Sequence, residues 1–326
     1  MIQQIDQCNS GSERTLSELF ETAYVRKIRD ASENTLRVHR ITLGKLNRFL
    51  ARDATLHDLN DATISDFVWW IHRTEDRSAR TANRCRDSIL AQWRYYARKG
   101  IVPLWPDVPA LREPERIPVA WTREELQRLF IAISGETGDV HGVPATVWWH
   151  SLHAVLWDTG ERIGAVRSLD WRWVDLRRRT VVFRAETRKG KRRDRVHDIH
   201  EQTAGILRRS WAAQGKPASG VVWPWGRDPL AIYAAYRRLL EKAGLPADRM
   251  RKFHCMRRSA ASYLEAAGGN ATEFLDHADR RITKRSYLDP RITGGTSAAT
   301  LLFRPESVTE QAGDGVTRVS GAENHE

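Results

Sequence analysis

Apolar residues recur at helical spacing through the first hundred positions of the chain. Leu16, Leu19, Phe20 and Tyr24 fall on one helical face, and three further stretches repeat the pattern before Gly100. Their apolar positions are Leu36, Leu43, Leu46 and Leu50, then Ile64 to Ile71, then Ile89 to Tyr96. Four or five amphipathic helices with short connections predict a helical bundle, because each helix must bury one face against the others.

The helical pattern stops in a proline-rich segment at 103–120. Five prolines stand there with little periodicity, at positions 103, 106, 109, 114 and 118. A residue before proline disfavours the α conformation, so we expect extended backbone and a linker between two domains. The predicted domains are 1–102 and 121–303. The tail at 304–326, rich in Gly, Glu and small polar residues, is expected to be disordered.

Helical patterns return after the linker and are interrupted once by strands. Thr122 and Glu125 have the spacing of a capping box, and a second apolar helix covers 145–157. The apolar residues at 181–183 and 196–199 predict two strands of a hairpin with a basic tip. Further helices are expected at 201–214, 229–243, 255–267, 271–277, 282–288 and 294–303. The predicted fold class is mainly α: an all-helical first domain and a mixed α+β second domain, mostly helical with a small sheet.

The chain carries a large positive charge, which is concentrated in the second domain. It has 53 Lys and Arg against 41 Asp and Glu, a net charge of +12. Residues 116–303 hold 33 basic and 20 acidic side chains, whereas residues 1–115 hold 18 and 16. A basic surface suits a polyanion such as DNA, because each neutralised phosphate releases counterions. A helix near 80–99 also carries six cations, which fits either a solvated face or a contact with the DNA backbone.

Cysteine usage and hydropathy favour a cytoplasmic protein. Cys8, Cys85 and Cys255 show no CxxC pairing and are too few for a disulfide framework. No apolar run approaches the ~20 residues of a membrane span, and the N-terminus lacks the charged-then-apolar pattern of a signal peptide. We therefore expect the protein in the cytoplasm, without a membrane partner.

Side chains suited to phosphoryl transfer occur in order along the second domain: Arg162, the basic hairpin, His254 with Arg257, His277 and Tyr287. Cleaving DNA by transesterification needs a nucleophile, positive charge on the non-bridging oxygens and a proton for the leaving 5'-oxygen. Tyr287 can supply the nucleophile. The planar guanidinium groups of Arg162 and Arg257 can each hold two phosphate oxygens. His254 lies one helical turn before Arg257 and falls on the same face.

These residues stand in motifs that resemble those of the tyrosine recombinases, also called phage-type integrases. The first box of that family is similar to TGERI at 159–163 with LDW at 169–171 and VD at 174–175. The second box matches HCMRRSAA at 254–261, and the closing segment resembles LDH at 275–277 with ITKRSY at 282–287. The resemblance covers about 122–303 in detail and the N-terminal helices in general architecture.

The resemblance implies a site-specific recombinase or integrase, with an N-terminal core-binding domain and a C-terminal catalytic domain that close around double-stranded DNA. Tyr287 would form a 3'-phosphotyrosine, with Arg162, His254, Arg257 and His277 as its catalytic partners. The covalent link conserves the phosphodiester, so no ATP, cofactor or metal is expected. Four protomers act on two duplexes in this family, so we expect a homo-tetramer on paired DNA sites, with 295–303 as a candidate contact between protomers.

In the same family a lysine on a β-hairpin protonates the leaving oxygen. The tip here reads TRKGKRR at 187–193, one residue longer than the usual pattern. Lys189 is the first choice for this role, and Lys191 stays open as the alternative. The expected DNA contacts are Arg80, Arg84, Arg94, Arg188, Arg192, Arg193 and Arg258.

Three positions depart from the family pattern. Ala165 stands where an acidic residue is frequent, and Asp276 stands where glycine usually precedes the histidine. Ten residues separate His277 from Tyr287, one more than in many members. None of these changes removes a reacting side chain, so we expect an active enzyme.

Three other functions compete with recombination. A type IB topoisomerase would use the same chemistry to cut and reseal one strand. A descendant of such enzymes could bind DNA without cutting it. A metal-dependent nuclease would need His150, His153, His197 or His200 as ligands, and the sequence shows no carboxylate cluster at ligand spacing near them.

Overall fold

The computed structural model describes residues 14–294, except Lys189, Lys191, Arg192, Arg227, Pro229 and Arg249. The chain divides into two compact units, Met1–Glu115 and Arg116–Glu326. The helix expected at 294–303 and the tail at 304–326 lie outside the described residues, apart from Gly294.

The first unit consists of helices, as the apolar spacing predicts. Helix α1 (Leu16–Leu19) continues through a π-helical turn (Phe20–Tyr24) into α2 (Val25–Lys27). The three longer helices are α3 (Glu33–Leu50), α4 (Asp61–Arg73) and α5 (Ala79–Arg98). Ser32, Asn60 and Ser78 each cap the helix that follows by accepting a hydrogen bond from a first-turn N–H.

The predicted apolar faces meet in one core inside this unit. Phe20, Leu46, Ile64, Phe67 and Trp93 are fully buried there. A polar side chain, His39, is also buried there, and its Nδ1 lies 2.7 Å from the hydroxyl oxygen of Ser88. Burial lowers the pKa of His39, so the unit keeps this histidine neutral at physiological pH.

The proline-rich segment has no regular structure, and its first half is bound to α5. Asn83 pairs with the backbone of Leu111 through two hydrogen bonds of 2.8 and 2.9 Å. Arg86 donates to the carbonyl of Val108, and the indole of Trp93 donates to the carbonyl of Leu104. Arg86 therefore holds this segment on the bundle, and one of the six cations on the helix has a structural role.

The second unit is helical around two small antiparallel sheets. Its helices before the hairpin are α6 (Arg123–Ser134), α7 (Ala145–Thr159) and α8 (Ile163–Arg167). The strands are β1 (Asp139–Val140), β2 (Val143–Pro144), β3 (Val174–Asp175), β4 (Thr180–Phe183) and β5 (Arg195–Asp198). The later helices are α9 (Glu201–Ala213), α10 (Ala231–Lys242), α11 (Phe253–Ala266), α12 (Ala271–Phe274), α13 (Arg280–Ser286) and α14 (Pro290–Thr293).

The predicted hairpin, β4 and β5, provides two strands of a three-stranded sheet in which β4 is the central strand. Strand β4 pairs with β3 on one side and with β5 on the other, both antiparallel, and Val181 lies opposite His197. The predicted capping box of Thr122 and Glu125 also forms. The two-residue strands β1 and β2 were not predicted, because so short a stretch carries no period.

Helix α7 lies at the centre of this unit and packs against α6, α9 and α11. Its residues Trp148, Leu152 and Val155 are fully buried, which explains why the helix is apolar on most of its surface. The end of this helix carries the first reactive motif, so the core fixes the position of that motif. Within the described part of the chain, no helix has the length and apolar character needed to cross a membrane.

Candidate active site

Three segments of the second unit bring the predicted reactive side chains together. Arg162 follows the end of α7, His254 and Arg257 lie in the first two turns of α11, and His277 and Tyr287 flank α13. The rings of both histidines contact the ring of Tyr287.

Gly160 ends α7 in a conformation that places Arg162. Its φ of 58° is left-handed, and a Cβ there would overlap the ring of Phe274. Glycine is the residue that takes this conformation without strain. Two residues later, Arg162 takes extended backbone angles and starts α8. In the Thr-Gly-x-Arg motif, the glycine thus ends one helix and the arginine stands at the N-cap position of the next.

Arg257 is almost completely buried, with 2% of its surface exposed. Its guanidinium donates to the carbonyl of Gly160 and, at 2.9 Å, to the carbonyl of Leu275. These bonds connect the start of α11 to the two other segments. Burial lowers the pKa of Arg257 to about 10, so it stays charged at neutral pH.

His254 packs edge to face against Tyr287, with the ring centroids 5.1 Å apart. Its pKa falls to about 3, because it is buried and because Arg258, Arg257 and Arg162 add positive charge around it. The ring is therefore neutral at physiological pH. Arg162 follows two residues after Gly160, whose carbonyl Arg257 binds, so its backbone is anchored to the same site.

His277 touches both Arg257 and Tyr287. Its Nε2 lies 3.4 Å from Nη2 of Arg257, and its Nδ1 lies 2.9 Å from the hydroxyl of Thr283. Since a guanidinium only donates, Nε2 accepts, and a neutral ring then carries its proton on Nδ1 facing Thr283. The rings of His277 and Tyr287 are 4.5 Å apart between centroids.

Tyr287 ends α13 and is 7% exposed. Cζ of Arg257 lies 5.4 Å from the centre of its ring. The backbone after it is tied down, since the hydroxyl of Ser262 donates to the Tyr287 carbonyl and accepts from the N–H of Asp289. The carboxylate of Asp289 is buried and accepts from the N–H of Ala120 at 2.9 Å.

Both candidate lysines, Lys189 and Lys191, lie outside the described residues, as does Arg192. The residue before them is described, and it corrects a prediction. Arg188 is 3% exposed and binds two carboxylates, with its Nε 2.8 Å from Glu161 and its Nη2 3.0 Å from Asp276. The predicted DNA contact of Arg188 is therefore wrong, because its guanidinium faces protein carboxylates and not the surface.

The other predicted DNA contacts differ in exposure. Arg80 and Arg84 are exposed one turn apart on α5, and Arg94 on the same helix is half-buried. Arg193 is exposed, with its Nη2 3.6 Å from Oδ1 of Asp276. Arg258 donates to the carbonyls of Met250 and Ser286, so it joins α11 to the segment that carries the tyrosine.

The departures from the family pattern have structural explanations. Ala165 is buried in the core of the second unit, where it packs without a polar partner. Asp276 has a φ of 53°, the left-handed conformation that favours glycine, and this residue stands where the family usually has glycine. The backbone shape is therefore kept here by an aspartate, which also binds Arg188.

Sequence reasoning missed four residues that support the site: Glu161, Thr283, Ser262 and Asp289. Asp289 had a local signal, because an aspartate before Pro290 is typical of a helix start, and it caps α14. The others carry no local signal. Their partners are distant in sequence or depend on where α11, α12 and α13 meet.

The histidines of the alternative metal site have other partners. His153 is fully buried, and its Nδ1 lies 2.7 Å from the carbonyl of Trp149. Burial lowers its pKa to about 4. His197 lies beside Glu161, at 3.5 Å. Among the described residues, no three His, Cys, Asp or Glu side chains are grouped so that they could hold a metal ion.

Tyr287 is in contact with two histidines and a buried arginine, an arrangement suited to nucleophilic attack on phosphate. The family model of the phage integrases matches residues 121–292. Because this match covers more than half of the chain, the protein belongs to the phage integrase family, whose members are tyrosine recombinases. A sequence search of curated proteins finds no match.

Solved structures of this family have the same fold at low sequence identity. The Tn1549 transposon integrase bound to transposon right end DNA matches with a TM-score of 0.68 and 15% identity, over 88% of this chain and 97% of that one. A lambda integrase dimer bound to a COC' core site matches with a TM-score of 0.64 and 15% identity, over 90% and 100%. The XerH recombinase bound to a palindromic difH substrate matches with a TM-score of 0.64 and 15% identity, over 84% and 82%.

Proposed function

We propose that this protein is a site-specific DNA recombinase that cuts and rejoins strands through Tyr287. The phenol oxygen attacks the scissile phosphate, the bond from phosphorus to the 5'-oxygen breaks, and a 3'-phosphotyrosine forms. A free 5'-hydroxyl then attacks that linkage and releases Tyr287. The contact of Tyr287 with His254, His277 and Arg257 is the observation that carries this proposal.

The two arginines meet the charge that grows on the phosphoryl oxygens. Arg257 keeps a planar, charged group beside the tyrosine, and Arg162 would supply a second one. Fixed positive groups at such a place stabilise the transition state strongly. Nε of Arg257 has no hydrogen-bond partner in the described part of the chain, so it can donate to a phosphate oxygen. The buried position of Arg257 makes its charge more effective than it would be in water.

In the proposed reaction, His254 accepts a proton and His277 contributes hydrogen bonds. His254, with a pKa of about 3 in the DNA-free protein, is a weak base there. A phosphate anion offsets the arginine charges that lower this pKa, so DNA binding makes His254 a better acceptor for the phenol proton. His277 is held through Thr283 with its Nε2 towards Arg257, where it accepts from that guanidinium and helps to orient it towards the phosphate.

Substrate binding and assembly belong to the same proposal. The exposed Arg80 and Arg84 of α5 suit the DNA backbone, and this supports a core-binding role for the helices of 1–102. Arg94, Arg192, Arg193 and Arg258 remain proposed DNA contacts. The hairpin lysine, Lys189 or Lys191, would protonate the 5'-oxygen. We further propose a homo-tetramer on paired sites in the cytoplasm, with catalysis that needs no metal or ATP.

A nicked suicide substrate tests the reaction. The DNA would come from candidate sites flanking the coding region of the protein, with one strand labelled on the 5' side of the scissile phosphate. We expect a covalent adduct that keeps this label and forms in EDTA with wild type, and no adduct with Tyr287→Phe. Wild-type protein that binds these sites without forming an adduct would support the binding-only alternative.

Strand exchange separates recombination from topoisomerase activity. Two duplexes carrying the same site and different flanks should yield recombinant products and, when exchange of the second pair of strands is blocked, a four-way junction. Relaxation of supercoiled DNA without any joined product would favour the type IB topoisomerase.

A further inference from the structure

Arg188 joins the connection between β4 and β5 to both sides of the active site. Its Nε and Nη2 each lie 2.8 Å from Oε1 of Glu161, and Nη2 also lies 3.0 Å from Oδ2 of Asp276. Its Nη1 donates to the carbonyl of Arg193, on the returning arm of the hairpin. One buried guanidinium therefore binds three chain segments.

Each of the two carboxylates belongs to a residue directly before a proposed catalytic residue. Glu161 directly precedes Arg162, and Asp276 directly precedes His277. Whatever fixes these carboxylates also restricts the backbone from which the two reacting side chains start. At Asp276 the backbone is left-handed, which is unfavourable for a residue other than glycine, so the ion pair with Arg188 offsets a local cost.

The charges of this group depend on Arg188. Burial alone would raise the pKa of Glu161, but the neighbouring ring of His197 and the charges of Arg188 and Arg257 lower it to about 2. Glu161 is therefore a buried anion at neutral pH. Without Arg188, the negative charges of Glu161 and Asp276 would stand beside the place where the DNA phosphate must bind.

We propose that Arg188 is a positioning residue for strand cleavage. It touches no phosphate; it holds and neutralises Glu161 and Asp276, and thereby orients Arg162 and His277. This inference rests on the proposed function of the site. It gives the hairpin a second task in the reaction, besides supplying the lysine that would act as the acid.

The test compares Arg188→Met with wild type in two measurements on the same DNA. Single-turnover cleavage of the suicide substrate should slow at least ~10-fold, since the arginine and histidine lose their orientation. The Kd for DNA should change less than about twofold, and the slope of log K against log salt should stay the same. A phosphate contact would instead lower that slope by about one.

Two further variants separate positioning from folding. Arg184→Met removes a half-buried arginine of the same hairpin that pairs with Asp194 at 2.7 Å, and it should cleave like wild type. The triple variant Glu161→Gln/Arg188→Met/Asp276→Gly has no unpaired carboxylate at these positions and keeps a residue that accepts the left-handed backbone. Its thermal stability should return towards that of wild type while its cleavage stays slow.

The outcomes distinguish this inference from the proposed function. Cleavage by Arg188→Met within about twofold of wild type would overturn the positioning role, and so would a lower salt slope with a weakened Kd. Cleavage that the triple variant recovers together with its stability would also overturn it. A wild-type protein that never forms an adduct would contradict the proposed function itself.

Discussion

The rings of His277 and Tyr287 lie 4.5 Å apart between centroids, although ten residues of chain separate them. Helix α13 fills that interval, and Thr283 within it reaches both ends. Its hydroxyl lies 2.9 Å from Nδ1 of His277, and its carbonyl accepts the N–H of Tyr287 at 2.9 Å. Thr283 is fully buried, so this link is shielded from water.

Thr283→Val should slow strand cleavage. The valine keeps the shape of the side chain but gives Nδ1 of His277 no partner, so the ring loses its preferred tautomer and orientation. We expect single-turnover cleavage to fall about 3- to 30-fold with little change in the Kd for DNA. Thr283→Ser, which restores a hydroxyl, should recover most of the rate. A valine variant as fast as wild type would show that the hydroxyl does not orient His277.

Arg257→Lys should slow strand cleavage strongly, although it keeps the positive charge. A single ammonium group cannot bind the carbonyls of Gly160 and Leu275 and also a phosphate. We expect cleavage to fall at least ~100-fold in the suicide-substrate assay. Arg208→Lys is the matched control, because Arg208 is exposed and donates only to the carbonyl of Leu176 in the described structure. Equal rates for the two variants would contradict the assignment of Arg257.

Gly160→Ala should destabilise the catalytic unit. Its φ of 58° and the nearby ring of Phe274 both oppose a Cβ, and a left-handed alanine costs of order 1–3 kcal/mol before any clash is counted. Gly164→Ala is the control on the next helix, where a Cβ meets nothing within 4 Å and the backbone is not left-handed. Urea unfolding should show a lower midpoint for the first variant and an unchanged or higher midpoint for the second.

The low pKa of His254 predicts how stability changes with pH. The pKa is about 3 in the folded protein and 6.5 in the reference state, so the unfolded chain binds more protons between these values. The contribution of His254 is complete above pH 6.5 and is lost as the pH falls towards 3. Between pH 7.5 and 5, wild type should therefore lose about 2 kcal/mol more stability than His254→Gln. Urea titrations at the two pH values measure this difference.

A direct titration checks the same assignment. In the DNA-free protein, the ring signal of His254, identified by its absence from the His254→Gln spectrum, should stay at its neutral position from pH 7.5 to 5. A titration midpoint near 6.5 would contradict the buried, arginine-flanked environment. Added DNA should raise the midpoint, because the phosphate offsets the arginine charges.

Short-range patterns in the sequence predicted many of the helices and the family of this protein. Apolar spacing predicted the four long stretches of the first unit, and capping signals such as Thr122 with Glu125 predicted helix starts, since these depend on residues within one or two turns. The motif around Arg162 was readable because its residues are close in sequence and resemble the first box of the family. The order of Arg162, His254, Arg257, His277 and Tyr287 was enough to predict the family, which the match over 121–292 confirms.

Only the tertiary structure decided which charged side chains are buried in ion pairs and which are exposed. Arg188 and Arg193 look alike in a basic hairpin, yet one is buried between Glu161 and Asp276 and the other is exposed. No local pattern distinguishes them, because the partners lie 27 and 88 residues away and meet Arg188 only when α7, the hairpin and α12 pack together. The sequence determined which groups are present, and long-range packing decided which of them face protein and which face solvent.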